Sequence, residues 1–170
     1  AEIEYTTSGN LYSDLLNLTF GLTPQLLEVH KLRQAHRADL VSLFVGGSPQ
    51  IFHGISWMLN GMWPAASYGF NVVEGIYAPT SVFAHEIGHN LGAGHADSSG
   101  AESTAKGWRF TGSDGKKYRT LLSYQNEAGE ARIPYYSNPS KSYQGKPTGT
   151  DSANNAATIT KIAPKVAGYQ

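Results

Sequence analysis

The stretch His85-Glu86-Ile87-Gly88-His89-Asn90-Leu91-Gly92-Ala93-Gly94-His95 decides how this chain is read. Helical positions four apart lie about 40° from one another around the axis. A helix here therefore aims His85 and His89 the same way, one turn apart, where both can reach one ion. Phe83, Ile87 and Leu91 fall on the opposite side, an apolar stripe expected to face a core. Glu86 lies about 100° from His85. It sits beside a shared ion but is poorly placed to bind it, which is where a general base for an ion-bound water belongs. A helix continued to position 95 would carry His95 about 240° past His89. Gly92 can take a left-handed conformation, end the helix and let the chain bring His95 back beneath the ion. Three neutral imidazoles and a water make a four-coordinate site with one open position, a donor set that favours catalytic zinc.

Working outward, the chain before this helix mixes helices and strands. Residues 3–7 alternate weakly and read as a strand. Residues 11–18 carry leucines at 11, 15, 16 and 18, a short helix. Thr23-Pro24 reads as an N-cap followed by proline at the first helical position, and the pattern predicts a helix over 24–37 with Lys31, Arg33, His36 and Arg37 near its C-terminal end. Residues 39–45 form a nearly continuous apolar run closed by Gly46-Gly47, expected to be a strand buried on both faces. Residues 54–58 and 68–73 are further strand candidates, and Pro79-Thr80-Ser81 opens the histidine helix. Beyond Gly92 turn residues recur every few positions. A last helix is expected from Asp151 or Ser152, with Ile159, Ile162 and Val166 on one face and Pro164 kinking or ending it.

Composition narrows the function classes. The chain has 170 residues, with 13 Lys+Arg against 13 Asp+Glu. That balance argues against nucleic-acid or electrostatic membrane binding. No apolar run is long enough to span a bilayer, and residues 1–5 lack the pattern of a signal peptide. Cysteine is absent, which removes disulfides, thiolate nucleophiles and thiolate metal ligands. Gly is 19 of 170, well above the usual ~7%, as expected of a loop-rich globular domain. His30, His36 and His53 show no ligand spacing and read as surface or helix-end residues. Calcium is conceivable at Asp97, Asp114 and nearby loops, but no ordered ligand spacing supports it.

The extended histidine motif resembles the zinc signature of the metzincin clan of metalloendopeptidases. The segment Arg119-Thr120-Leu121-Leu122-Ser123-Tyr124 resembles the clan's methionine-containing turn, with Leu122 at the methionine position. Met58 and Met62 both precede the helix, so neither replaces it in order. Leucine nearly conserves the volume of methionine, so zinc binding is expected to survive the exchange. The resemblance extends over most of residues 4–170. Ser81–Asn90, Arg132-Ile133-Pro134-Tyr135-Tyr136-Ser137-Asn138-Pro139, the run from Asn154-Asn155-Ala156 to Tyr169, and the stretch from Val29-His30 to Val45 are similar to the bacterial peptidyl-Asp metallopeptidases. There are departures: no cysteines, Asp97 two places after the third histidine instead of an Asp directly after it, and a short start. The clan usually opens with a strand and a long helix ahead of the strand read at 3–7. Without them apolar sheet surface would be exposed, which implies a partner chain or self-association.

The resemblance implies an α+β, metzincin-like fold: a twisted mixed sheet, a zinc-binding active-site helix, and a loop-rich C-terminal subdomain with a terminal helix. One catalytic domain over 1–170 is expected, with subdomains of about 1–92 and 93–170 and the cleft between them. The expected activity is peptide-bond hydrolysis, with His85, His89 and His95 as zinc ligands and Glu86 as general base to the zinc-activated water. The phenol of Tyr124 would stabilise the oxyanion. The substrate is expected to lie extended on the strand around Gly54, Ile55, Ser56 and Trp57. An Asp preference at P1′ would need a cation, Arg119 or Arg132. Secretion is implied by the resemblance. Two alternatives stay open: a catalytically weak zinc-binding interaction module, and a zinc hydrolase of a non-protein amide or ester. On the zinc reading, metal removal should lower stability as well as activity.

Overall fold

The computed structural model describes residues 1–47, 51–58 and 66–169. Met62 lies outside the described residues. The fold is mixed α+β, in two compact units. One holds residues 1–57, 66–90 and the chain end from Lys165; the other holds Met58 and Leu91–Pro164.

In the first unit, helix α1 spans Leu11–Phe20. Asn10 caps its start by accepting from Ser13 N–H, and Gly21, left-handed at φ 60°, closes its end. Leu11, Leu15 and Leu18 point inward. Asp14 is buried on the same face, and its carboxylate accepts from Tyr5 Oη (2.7 Å), Ser8 N–H (2.8 Å) and the Thr7 hydroxyl. That network overturns the strand expected at 3–7: no strand forms there, and the polar groups of this segment turn toward Asp14 while Ile3 and Tyr5 pack on the core.

Helix α2 spans Pro24–Ala35, with Thr23 as its N-cap. Arg33 lies in the last turn of α2, as the sequence suggested, and is buried there. Its guanidinium lies 4.8 Å over the Phe70 ring and donates to the carbonyls of Ala38, Asp39 and Ala66.

Strands β1 (Val41–Val45), β2 (Gly54–Ser56) and β3 (Phe70–Glu74) form one sheet in the order β1-β3-β2. β1 runs parallel to β3 with Val41 opposite Phe70; β2 is antiparallel with Gly54 opposite Val73. β3 is the strand buried throughout. β1, expected to be buried on both faces, is an edge strand and leaves Phe44 47% exposed. The core joins Leu11, Leu15, Leu18, Leu26, Leu43, Val45, Phe70 and Val72.

Helix α3 spans Ser81–Asn90, and Thr80 caps it by accepting from Val82 N–H. Its burial reverses the expected polarity. His85, Glu86, His89 and Asn90 are buried, while Phe83, Ile87 and Leu91 are only half-buried. On this buried side Asn90's amide donates to the carbonyls of Trp57 and Phe70 and accepts from Asn71. Those bonds link the polar side of the helix to β3 and to Trp57.

The second unit contains little regular structure. Strands β4 (Arg109–Thr111), β5 (Lys117–Arg119) and β6 (Ala131–Arg132) form a small sheet in that order. β7 (Ser142–Tyr143) and β8 (Lys146–Pro147) pair as a hairpin. Helix α4 spans Asn155–Val166, later in its start than the sequence implied, and continues two residues past Pro164 before ending. Leu121, Leu122, Ala105, Ile133 and Ile162 are buried here, among many polar groups: Thr120, Ser123, Ser137, Thr148, Asn155 and Thr158. Several glycines let backbones touch. A Cβ on Gly94 would fall 2.2 Å from Gly100 N and 2.4 Å from Ala105 O, and one on Gly107 would fall 2.4 Å from Leu122 O.

Candidate metal centre

α3 presents His85 and His89 one turn apart, with their Nε2 atoms 3.1 Å from each other. Gly92, left-handed at φ 81°, stops the helical course as the spacing required. The following loop is held by Asn155, whose amide pairs with both backbone groups of Gly94: Gly94 N–H donates to Oδ1, and Nδ2 donates to Gly94 O, each at 3.0 Å. One nitrogen from each of His85, His89 and His95 then falls within 4.8 Å of the others, and among the described residues this is the one such group.

The donor set fits a metal ion. Two nitrogens bound to one tetrahedral zinc at about 2.0–2.1 Å stand about 3.3 Å apart, close to the His85–His89 spacing. The set is all imidazole, with neither thiolate nor carboxylate, and burial lowers the pKa of His95 against the opposing pull of Asp97. Burial thus favours the neutral imidazole that binds metals.

Glu86 is 5% exposed. Burial pushes its carboxyl up to about 7, partly offset by a 2.8 Å hydrogen bond from Ser56 Oγ to Oε2. A cation nearby would pull it back down. Gly54 makes room for this carboxylate. A Cβ there would lie 2.7 Å from Glu86 Oε1 and 2.8 Å from Val82 Cγ1. Gly54, Ile55 and Ser56, read from the sequence as an edge strand, are the antiparallel edge strand β2, with Trp57 directly after it.

Leu122 is fully buried, and its carbonyl accepts from Ala96 N–H, the residue after His95. The Tyr124 ring is half-exposed and packs against His95 with centroids 4.5 Å apart. Arg119 and Arg132 are register partners on β5 and β6. Burial lowers the pKa of both; for Arg119 the Glu130 carboxylate opposes the shift. Arg119 donates to Ser123 O, and its Nε meets no acceptor among the described residues.

Two histidines read as bystanders are integral to packing. His30 Nε2 lies 2.7 Å from Leu18 O with its ring against Phe70, and His53 Nδ1 lies 2.8 Å from Glu74 with its ring stacked on Tyr77. Sequence reasoning missed Arg109, which donates to both Asp97 and the Tyr124 carbonyl. Its one trace in the sequence was the displaced Asp97. It also missed the hydroxyl of Ser56 as a partner of Glu86.

His85 and His89 on α3 and His95 in the loop after it have the donors to hold a metal ion. Residues 2–96 match the metallo-peptidase family M12B, reprolysin-like, and the chain belongs to that family. Relatives include a peptidyl-Asp metalloendopeptidase of Stenotrophomonas maltophilia (strain R551-3), 30% identical over 98% of this chain and 40% of the relative. The Xanthomonas campestris pv. campestris protein of the same name is 27% identical over 98% of this chain and 39% of its own length. The chain thus spans about 40% of the length of these curated relatives. A solved structure described as a chaperone–substrate complex contains a chain that superposes at a TM-score of 0.65, with 20% identity, over 99% of this chain and 26% of that one. That likeness is one of fold.

Proposed function

We propose that residues 1–170 form one catalytic domain of a zinc-dependent endopeptidase. The observation that carries this is the convergence of the His85, His89 and His95 nitrogens within 4.8 Å, with buried Glu86 next to the first of them. Zinc held there would supply the Lewis acidity that activates water and polarises the scissile carbonyl.

The rest falls to the protein's own groups. Glu86, steadied by Ser56, takes the proton of the attacking water and passes it to the leaving amine. The Tyr124 phenol donates a hydrogen bond to the developing oxyanion. The substrate lies extended along β2 as an added strand, with contacts at Gly54, Ile55, Ser56 and Trp57. Arg119 or Arg132 receives a carboxylate at P1′, in keeping with the relatives named for peptidyl-Asp cleavage. Secretion is part of this proposal by resemblance to the bacterial enzymes. Among the described residues no helix is long and apolar enough to cross a membrane.

Casein cleavage with and without chelator, beside Glu86→Ala, tests the proposal. The expected result is chelator-sensitive cleavage that falls by roughly 10²–10⁴-fold in the variant. Bound zinc without cleavage would support an interaction module, and turnover confined to small esters or amides would support a non-peptide hydrolase. A peptide library with no acidic preference at P1′ would remove the role given to Arg119 or Arg132.

A further inference from the structure

Arg109 joins two segments far apart in sequence. Its Nη1 and Nη2 donate to Asp97 Oδ1 and Oδ2 at 2.9 and 2.8 Å, and its Nε and Nη2 donate to the Tyr124 carbonyl at 3.0 and 2.8 Å. The guanidinium is planar and its donors have fixed directions, so four bonds to two partners fix those partners relative to each other. Asp97 lies two residues past His95. Tyr124 lies two residues past Leu122, whose carbonyl accepts from Ala96 N–H at 3.0 Å. The Tyr124 ring packs on the His95 ring. The loop carrying His95 and the turn carrying Tyr124 are therefore tied by a backbone bond and by one side chain. Glu130, 4.0 Å from Arg109 Nε, is a second carboxylate beside the same guanidinium.

We propose that Arg109 is a positioning residue for the third metal ligand: by pinning Asp97 to the Tyr124 carbonyl it holds His95 in its binding orientation before metal arrives. The inference rests on the reading of His95 as a ligand. A ligand on a loop must be ordered when the ion binds, and fixing it beforehand removes that cost. Groups that orient metal ligands typically change affinity by about 10–100-fold when removed. The Asp97 side chain is 69% exposed, and an ion pair so open to solvent contributes little to folding. The pin should therefore act on metal binding and hardly on stability.

The test uses the whole chain. Zinc affinity is measured by competition with a chromophoric chelator for wild type, Arg109→Ala, Arg109→Lys, Asp97→Asn and the double variant Arg109→Ala/Asp97→Asn. Melting of each metal-free protein and the visible spectrum of each cobalt(II)-loaded protein are recorded alongside. The expected result is roughly a tenfold or greater loss of zinc affinity in Arg109→Ala, with metal-free melting within about 2 °C of wild type. Lysine cannot span both partners, so Arg109→Lys should recover only part of the loss. The double variant should bind no more weakly than Arg109→Ala, because the two groups act through one link. The cobalt spectrum of Arg109→Ala should differ from wild type. Wild-type affinity and spectrum in the Arg109 variants would overturn the inference, as would an affinity loss that merely tracks a lower metal-free melting temperature. Wild-type protein that takes up no zinc would overturn the metal-site reading itself, and this inference with it.

Discussion

The residues up to Asn90 and those from Leu91 to Pro164 differ in how their buried apolar and polar side chains are arranged. The first group gathers one apolar cluster around Phe70, Val72 and the α1 leucines, with Asp14, Arg33, Glu86 and Asn90 buried beside it. The second buries Thr120, Ser137, Thr148, Asn155 and Thr158 alongside Leu121, Leu122 and Ile162. Its interior is held largely by side chains that bond backbone. Ser137 Oγ donates to Lys106 O and accepts from Asn155 N–H, and Thr148 Oγ1 donates to Asn138 O. An apolar core tolerates exchange among shapes of similar volume. A polar interior depends on particular donors and acceptors, and losing one strands its partner.

The sharpest way to break this contrast is to mutate one residue of each kind. Phe70→Ala should cost about 3–5 kcal/mol, and Phe70→Leu should restore most of it. Asn155→Ala should cost about 2–3 kcal/mol by leaving the Gly94 amide and carbonyl without partners, and Asn155→Leu should recover nothing. Urea unfolding of the four variants checks both halves. Wild-type stability in the Asn155→Leu variant would erase the distinction.

A smaller effect concerns acid. Burial alone would raise the Asp14 carboxyl, but hydrogen bonds from Thr7, Ser8 and Tyr5 outweigh it and hold the pKa below the ordinary aspartate value. A group whose folded pKa is depressed contributes stability above its unfolded pKa, and that contribution fades as pH falls through the folded value. Stability should therefore drop as pH falls below about 4, and Asp14→Asn should flatten part of that dependence while lowering stability at pH 7. Thermal melts of both proteins from pH 7 to pH 3 measure it. The smallest change expected is from Leu122→Met, under about 1.5 kcal/mol in melting, with zinc uptake retained. Loss of zinc uptake in that variant would mean that the leucine matters at this turn.

Local spacing explains what could be read from sequence. α1 and α2 were legible because leucine spacing and, for α2, the Thr23-Pro24 start act locally. The histidine spacing and Gly92 likewise announced the three-histidine cluster, since helical geometry alone brings His85 and His89 together. The orientation of α3 was not legible, because hydrophobic periodicity cannot register Asn90, whose amide bonds the carbonyls of Trp57 and Phe70. Residues 3–7 misled for a similar reason: one buried carboxylate, Asp14, reorganised the segment. In the second group the decisive contacts join residues such as Gly94 and Asn155, whose pairing leaves no periodic mark.

The backbone contacts at Gly94 and Gly107 give the glycine-rich composition a consequence for how this protein can change over generations. At these points the chain has no space for even a methyl group. Substitution there cannot be absorbed by repacking a neighbour, because the neighbour is main chain. Core leucines can drift among similar residues while the fold is kept, but these glycines are fixed points. Divergence in the loop-rich stretch is thereby channelled to its outward-facing side chains, where new specificities can arise without disturbing the frame.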